Sequence, residues 1–306
     1  MKADLHVHSN YSYDVPSLPE FSPRALYDRA VARGMGFFVL TDHDTLQGVE
    51  ELERSLKASF GNHPPIPVVP GVELKVLDPA VGHTIHINVL GLNRTQLAKL
   101  ERLRNSVERF TRYCRDHHLF FVYNHPLWFE RRERARLETV ERLIEYFPVI
   151  ELNAGRIPEL NARTAALAWR HGRCLIATSD THIGQVGKAY TDVEATDAAS
   201  FLAGVLDGQA EPIPSHFGLR EFSRELFEAV DLWARRKPAP ASKRALPHGR
   251  ADRYWLAHRI LGRRPLRWSL PRRAVAALLK LLAGGTTYFF IRQQRRTLLR
   301  MSEIGS

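Results

Sequence analysis

Side chains able to bind a metal ion recur in this 306-residue chain at the ends of short apolar runs. His6 and His8 are two residues apart, so on an extended strand both point to one face. Asp14 follows in a loop. Phe37–Leu40 runs into Thr41-Asp42-His43-Asp44, Pro70-Gly71-Val72 leads to Glu73, and Phe120–Tyr123 leads to Asn124-His125-Pro126. His83 and His86 flank the start of another apolar run, and Thr178-Ser179 opens onto Asp180-Thr181-His182. Imidazole and carboxylate donors together suit Zn, Mn or Fe, and the lack of a cysteine motif argues against a purely structural zinc. Two or three such metals held close together can grip a phosphate, lower the pKa of a bridging water and neutralise charge on a departing oxygen. A carboxylate such as Glu73 can bridge two metals, whereas a neutral histidine serves one.

Taken singly, each group has an ordinary explanation. His-x-His is common, His43 between two aspartates suits a capped turn, His125 before proline suits a loop, and Asp180 suits a helix N-cap. Taken together, each at a strand end, they read as one metal site.

The elements that must position these residues follow from hydrophobic patterning. Short runs rich in β-branched and aromatic residues predict strands at Ala3–His8, Phe37–Thr41, Val68–Glu73, Ile85–Leu90, Phe120–Asn124, Val149–Leu152 and Cys174–Thr178. Helical patterns lie between them at Pro23–Arg33, Leu46–Phe60, Thr95–His117, Glu133–Tyr146 and Glu159–His171, with Ser22 as an N-cap before Pro23. Such alternation predicts an α/β fold with a mostly parallel sheet or barrel. A closed barrel would gather the strand ends at one rim, where barrel enzymes keep their sites.

Composition sets the remaining bounds. With 44% hydrophobic and 25% charged residues, wholesale disorder is excluded. Two cysteines, Cys114 and Cys174, cannot staple a secreted scaffold, and no apolar run follows Lys2, so a cytoplasmic protein without a signal peptide is expected. Residues 1–214 hold 24 Lys and Arg against 27 Asp and Glu, whereas residues 215–306 hold 20 against 6, a balance of +14. We therefore divide the chain into a barrel, 1–214, and a basic, mainly helical C-terminal extension, 215–306. In the extension, Glu221–Arg236 reads as a helix with Phe222, Leu226, Val230 and Trp233 on one face. A linker over Lys237–Lys243 and a basic helix around Tyr254–Leu261 follow. The apolar stretch Ala274–Ile291 has 18 residues and contains Lys280, short of the ~20 apolar residues of a membrane span. It is expected to pack on the barrel or another subunit, with peripheral contact at an anionic membrane surface as the alternative. The charge asymmetry points to a partner with an acidic surface: nucleic acid, anionic lipid or another protein.

The set Asp4-Leu5-His6-Val7-His8-Ser9, Thr41-Asp42-His43-Asp44-Thr45, Pro70-Gly71-Val72-Glu73, Asn124-His125-Pro126 and Ser179-Asp180-Thr181-His182 resembles the PHP family, named for polymerase and histidinol phosphatase. The resemblance covers residues 1 to about 190 and is nearest to the stand-alone branch of nucleotide phosphatases and 5′-to-3′ exonucleases. It implies a distorted (β/α)7 barrel, two or three metals and phosphoester hydrolysis. It implies that His6, His8, Glu73 and Asp180 bind one metal, and that Glu73, His125 and either His83 or His86 bind a second. Asp14, His43 and His182 would make the third position. The pattern Ile85-His86-Ile87 favours His86. Asp14 departs from the histidine usual in histidinol-phosphate phosphatases, which bears on the third metal.

Arg156, after the sixth strand, could pair with a substrate phosphate, and Asp180 or His182 could handle protons. Asp42 and Asp44 are expected to orient His43. The substrate is expected to be a phosphorylated small molecule or an oligonucleotide. The competing reading is a non-catalytic, metal-stabilised module that docks through its basic tail.

Overall fold

In a computed structural model, the residues described are 1–129, 133, 136–215, 218, 223–224, 227–228 and 287–299. The expected helices at Glu221–Arg236 and Tyr254–Leu261, the linker between them and most of Ala274–Ile291 lie largely or wholly outside these residues.

The elements run β1 (Lys2–Ala3), α1 (Pro23–Ala32), β2 (Phe38–Leu40), α2 (Gln47–Phe60), β3 (Val68–Val76), β4 (Ile85–Leu90), α3 (Arg94–Arg102), α4 (Val107–Asp116), β5 (Phe120–Tyr123), α5 (Leu137–Ile144), β6 (Val149–Asn153), α6 (Pro158–Arg170), β7 (Cys174–Thr178), β8 (Tyr190–Asp192), α7 (Ala198–Leu206) and β9 (Glu211–Ile213). Residues 287–299 form a C-terminal helix. Strands β2 to β7 make one curled sheet in sequence order, and β1, β8 and β9 make a small antiparallel one. Among the described residues no helix is long and apolar enough to cross a membrane.

The N-terminal segment closes the curl. Thr41 N–H donates to the Val7 carbonyl beyond the end of β2. On its other side Val7 bridges in parallel to Thr181, and His8 N–H donates to the Thr181 carbonyl. This segment is the seventh stave of a distorted α/β barrel.

Alternation along the staves divides the interior. Outward residues such as Phe38, Leu40, Ile85, Ile87, Phe121, Tyr123 and Ile150 pack under the surrounding helices. Inward residues near one end, Phe37, Val39, Leu90, Phe120, Val122, Val149 and Ile176, form an apolar floor sealed by Phe201 and Val205 of α7. Continuing at period two toward the other end, the inward positions become Thr41, Glu73, His86, Asn88, Asn124, Glu151, Asn153 and Thr178. All of these polar side chains are buried.

Two expectations need correction, and a third holds with one exception. The sheet is mostly parallel, with three of its five strand pairs parallel, but β4 runs antiparallel to both β3 and β5. Residues 77–84 join β3 to β4 with no helix, a link shorter than the dozen or so residues that a parallel return needs. The expected strand Ala3–His8 is regular only at Lys2–Ala3. Ala3 and Leu5 enter the floor while Val7 packs outward and His6 and His8 face the polar end, so the alternation slips by one residue between Leu5 and His6. The single helix expected at Thr95–His117 is two, because Ser106 N-caps α4 through the Arg109 N–H.

Gly71 shows why the polar end has no slack. A Cβ there would lie 2.9 Å from the Leu40 carbonyl oxygen and 2.8 Å from Leu90 Cδ2. Gly71→Ala is expected to push β3 from its neighbours and cost about 1–3 kcal/mol, read as a lowered urea midpoint. An unchanged midpoint would mean that the strands separate freely there.

Candidate metal centre

Glu73 lies at the middle of the polar end, buried, with its two carboxylate oxygens facing different groups. Oε1 is 3.0 Å from His86 Nδ1, 3.5 Å from His125 Nε2, and accepts from Asn124 Nδ2 at 3.0 Å. Oε2 is 3.0 Å from His43 Nδ1, 3.3 Å from His8 Nε2 and 3.5 Å from His6 Nε2. Burial alone would raise this carboxyl's pKa, but the imidazoles of His43, His6 and His86 outweigh it and hold the group well below the ordinary range.

Three sets of donors converge within metal-binding reach of one another: His6, His8 and Asp180; Glu73, His86 and His125; and His8, His43 and His182. Asp14 joins the third set at its edge, with Oδ2 3.0 Å from His43 Nε2 and 3.5 Å from His182 Nε2. His83 is in none of these sets. Its ring meets Phe129 edge-on at 5.0 Å instead. Arg156 lies beside the first set, Nη2 3.8 Å from Asp180 Oδ2.

The donor chemistry fits divalent ions. The Nε2 atoms of His6 and His8 lie 2.9 Å apart, with Asp180 Oδ1 at 3.3 and 3.4 Å, so lone-pair atoms face one another where a cation would satisfy them all. His86 Nε2 and Asp14 Oδ1 are buried without hydrogen-bond partners. Burial pushes the His86 pKa down to about 4 against the pull of Glu73, leaving the neutral imidazole a ligand requires. His6 and His43 go the other way. Burial lowers them, but Asp180, Glu151 and Glu73 raise His6 well above its ordinary value, and Asp14 and Glu73 do the same for His43.

Backbone strain aims several of these groups. His125 and Asp180 have φ of 30° and 47°, and Asp44 has 60°, left-handed values that non-glycine residues adopt at a cost. At His125 the turn lets its N–H donate to Glu151 Oε2 at 2.7 Å. At Asp180 it leaves the main-chain carbonyl 2.9 Å from His182 Nδ1.

A family model for the PHP domain matches residues 4–207. The chain belongs to the PHP family. A 5′-3′ exoribonuclease of Haemophilus influenzae is 37% identical over 94 residues, 31% of this chain and 30% of that protein, so the chain spans under a third of that relative. Among solved structures, PsfC of Pseudomonas syringae aligns with TM-score 0.48 at 20% identity, covering 64% of this chain and 83% of that one. The lesion-specific endonuclease PfuEndoQ of Pyrococcus furiosus aligns at 0.47 and 14% identity, covering 69% of this chain and 58% of that one.

The PHP barrel also holds site residues that sequence patterning missed, chiefly Glu151. Its carboxylate accepts from Thr178 Oγ1 at 2.5 Å, from the His125 N–H and from Asn153 Nδ2 at 3.0 Å, and lies 2.6 Å from His6 Nδ1. It fixes the tautomer that leaves His6 Nε2 facing the centre. The signal was a lone acid in the apolar strand Val149–Asn153, in phase with the inward positions. The expectation that Asp42 and Asp44 orient His43 is corrected. Asp42 accepts from Ser9 N, Ser9 Oγ and Ser12 Oγ, while Ser12 Oγ lies 3.0 Å from His8 Nδ1 and accepts from the His43 N–H. Asp44 pairs with Arg104 at 2.7 Å.

Two outcomes follow. Glu151→Gln puts an amide N–H among donors and should weaken metal binding about 10- to 100-fold, measured by chelator competition. Because the pKa values of His6 and His43 are raised, their protons compete with a metal, so affinity should fall as pH drops and binding should release protons. Calorimetry in buffers of different ionisation enthalpy checks the sign. Proton uptake on binding would contradict it.

Proposed function

We propose that the chain is a metal-dependent phosphoesterase acting on a nucleotide-class phosphate ester, either a small phosphomonoester or the 5′ end of an oligonucleotide. The observation that carries the reading is the two-sided Glu73, each oxygen turned to a separate group of imidazoles. That is the arrangement of a carboxylate shared between two cations. His6, His8 and Asp180 would complete one position, and His86 and His125 the second. His43 and His182, with His8 and Asp14 beside them, would make a third. When bound, such ions supply Lewis acidity and an activated water.

The chain's own residues do the rest. Asn153 Nδ2 donates to Asp180 Oδ2 at 3.0 Å and leaves Oδ1 turned to the imidazoles, so the Asp180 carboxylate is fixed in rotation. Arg156 binds a phosphate oxygen beside it. His182 is the most exposed of these imidazoles, its side chain 31% accessible. With Nδ1 held by the Asp180 carbonyl, its Nε2 is the atom offered either to a third cation or, protonated, to a leaving oxygen. Burial lowers the His182 pKa, but Asp14 and Asp180 outweigh it and favour that proton. The activity named for the Haemophilus influenzae relative supports an oligonucleotide 5′ end, as does the +14 balance of residues 215–306. The two-cysteine count supports a cytoplasmic setting.

Elemental analysis of the purified protein should find two or three divalent metals per chain. Phosphate release should be tested on nucleoside monophosphates, a sugar phosphate and a 5′-phosphorylated oligonucleotide. Turnover should vanish with chelator and return with Mn²⁺, and Glu73→Gln should lose metal and turnover together. Action on the oligonucleotide should fall steeply with salt. Tightly held metal without turnover on any ester would overturn the reading in favour of a docking module.

A further inference from the structure

We infer that the C-terminal helix, residues 287–299, completes an anion-binding subsite by clamping Arg156, with Phe290 and Gln294 as its positioning residues. The ligand class, a phosphate, rests on the phosphoesterase reading.

Arg156 is 7% exposed, and among the described residues its ion pair is a long one, with Asp180. Its Nη1 donates to the neighbouring Gly155 carbonyl at 3.2 Å, Nη2 stands 3.8 Å from Asp180 Oδ2, and Nε is buried with no hydrogen-bond partner. A guanidinium presents donors in a planar fork suited to two oxygens of one oxyanion, and leaving them unmade in a buried place is costly.

What holds the fork in place comes from the far end of the chain. The guanidinium carbon lies 4.4 Å from the Trp128 ring centroid and 5.9 Å from that of Phe290, and the two rings are 5.1 Å apart. Gln294 is 1% exposed and bonds both neighbours of Arg156: its Oε1 accepts from the Ile157 N–H at 2.9 Å and its Nε2 donates to the Gly155 carbonyl at 3.2 Å. Phe290 and Gln294 are four residues apart, one above the other on the helix. Gln293 Nε2 adds a bond to the Phe129 carbonyl at 3.3 Å. The helix thus ties the loop after His125 to the loop after Asn153 and restricts Arg156 to one orientation.

The test is calorimetric titration of the full-length, Mn²⁺-loaded protein with inorganic phosphate. Variants are Phe290→Ala, Phe290→Trp, Gln294→Ala, Arg156→Met and the double Phe290→Ala/Arg156→Met, with metal content and thermal midpoint measured on the same samples. Phe290→Ala and Gln294→Ala should each weaken phosphate binding about tenfold, with metal content unchanged. Phe290→Trp should retain affinity, and Phe290→Ala should add nothing once Arg156 is Met. Wild-type affinity in Phe290→Ala, an undiminished effect in the Arg156→Met background, or no phosphate binding by the parent protein would each overturn the clamp. If Phe290→Ala fails to fold, Gln294→Ala takes its place in the cycle. Failure of the phosphoesterase reading looks different, as metal and phosphate binding without turnover on any ester.

Discussion

The architecture depends on one buried carboxylate that must satisfy two sides at once. Glu73 is held in rotation by Asn124 Nδ2 on Oε1 and in position by main-chain bonds, since its N–H donates to the Thr41 carbonyl and its carbonyl accepts from the Asp44 N–H. Those bonds splice β3 to the turn carrying His43. The antiparallel register with β4 sets Glu73 opposite Asn88 and brings His86 within 3.0 Å on the same inward face. A parallel β4 would have reversed that strand and carried His86 toward the floor. The reversal of one strand is therefore what gives Glu73 an imidazole on this side.

The apolar floor and the polar mouth are one device. Because period-two alternation runs unbroken through most staves, each strand contributes a hydrophobic residue below and a donor or acceptor above. The floor keeps water from the lower half of the barrel, which strengthens every charge interaction over it. It also explains why the acids need so many partners: Asp4 accepts from the N–H groups of Ser179 and Gly187, and its carboxyl, still pushed up by burial to about 6, ties the start of the chain to the loop that carries Asp180. Unpaired, any of these carboxylates would cost more than its stave could return.

Much of this was legible in the residues because the candidate metal-binding side chains stand at strand ends and strands are short apolar runs. His6, His8, Glu73, His125 and Asp180 announced themselves through type and position, and the local pattern Ile85-His86-Ile87 favoured His86, the one of the two that joins a donor cluster. What escaped reading was what depends on pairing across the barrel. Nothing local in Val149–Asn153 says that Glu151 meets His6, 145 residues earlier in the chain. Nothing local says that Asp42 faces Ser9 and Ser12 rather than His43. The slip at Leu5–His6 escaped for the same reason, since it answers to the competing demands of floor and mouth, not to the propensity of its own residues.

The charge asymmetry takes on a physical sense once the helix at 287–299 is placed. The centre is rich in buried acids, and Arg156 is carried into it against Trp128, with Phe290 packed on that ring. A lone cation on a loop beside Asp180 would be drawn into a closed ion pair and lost to a substrate. The Trp128 ring, with Phe290 packed against it, holds the guanidinium by an attraction that uses none of its N–H groups, and Nε is left unpaired. Gln294 ties down the main chain on either side of Arg156, taking up the Ile157 N–H and sharing the Gly155 carbonyl with Arg156 Nη1. Arg292, Arg295 and Arg296 are exposed on the same helix, whose buried Gln294 meets the barrel, so the element that orients the inner cation also presents outer ones.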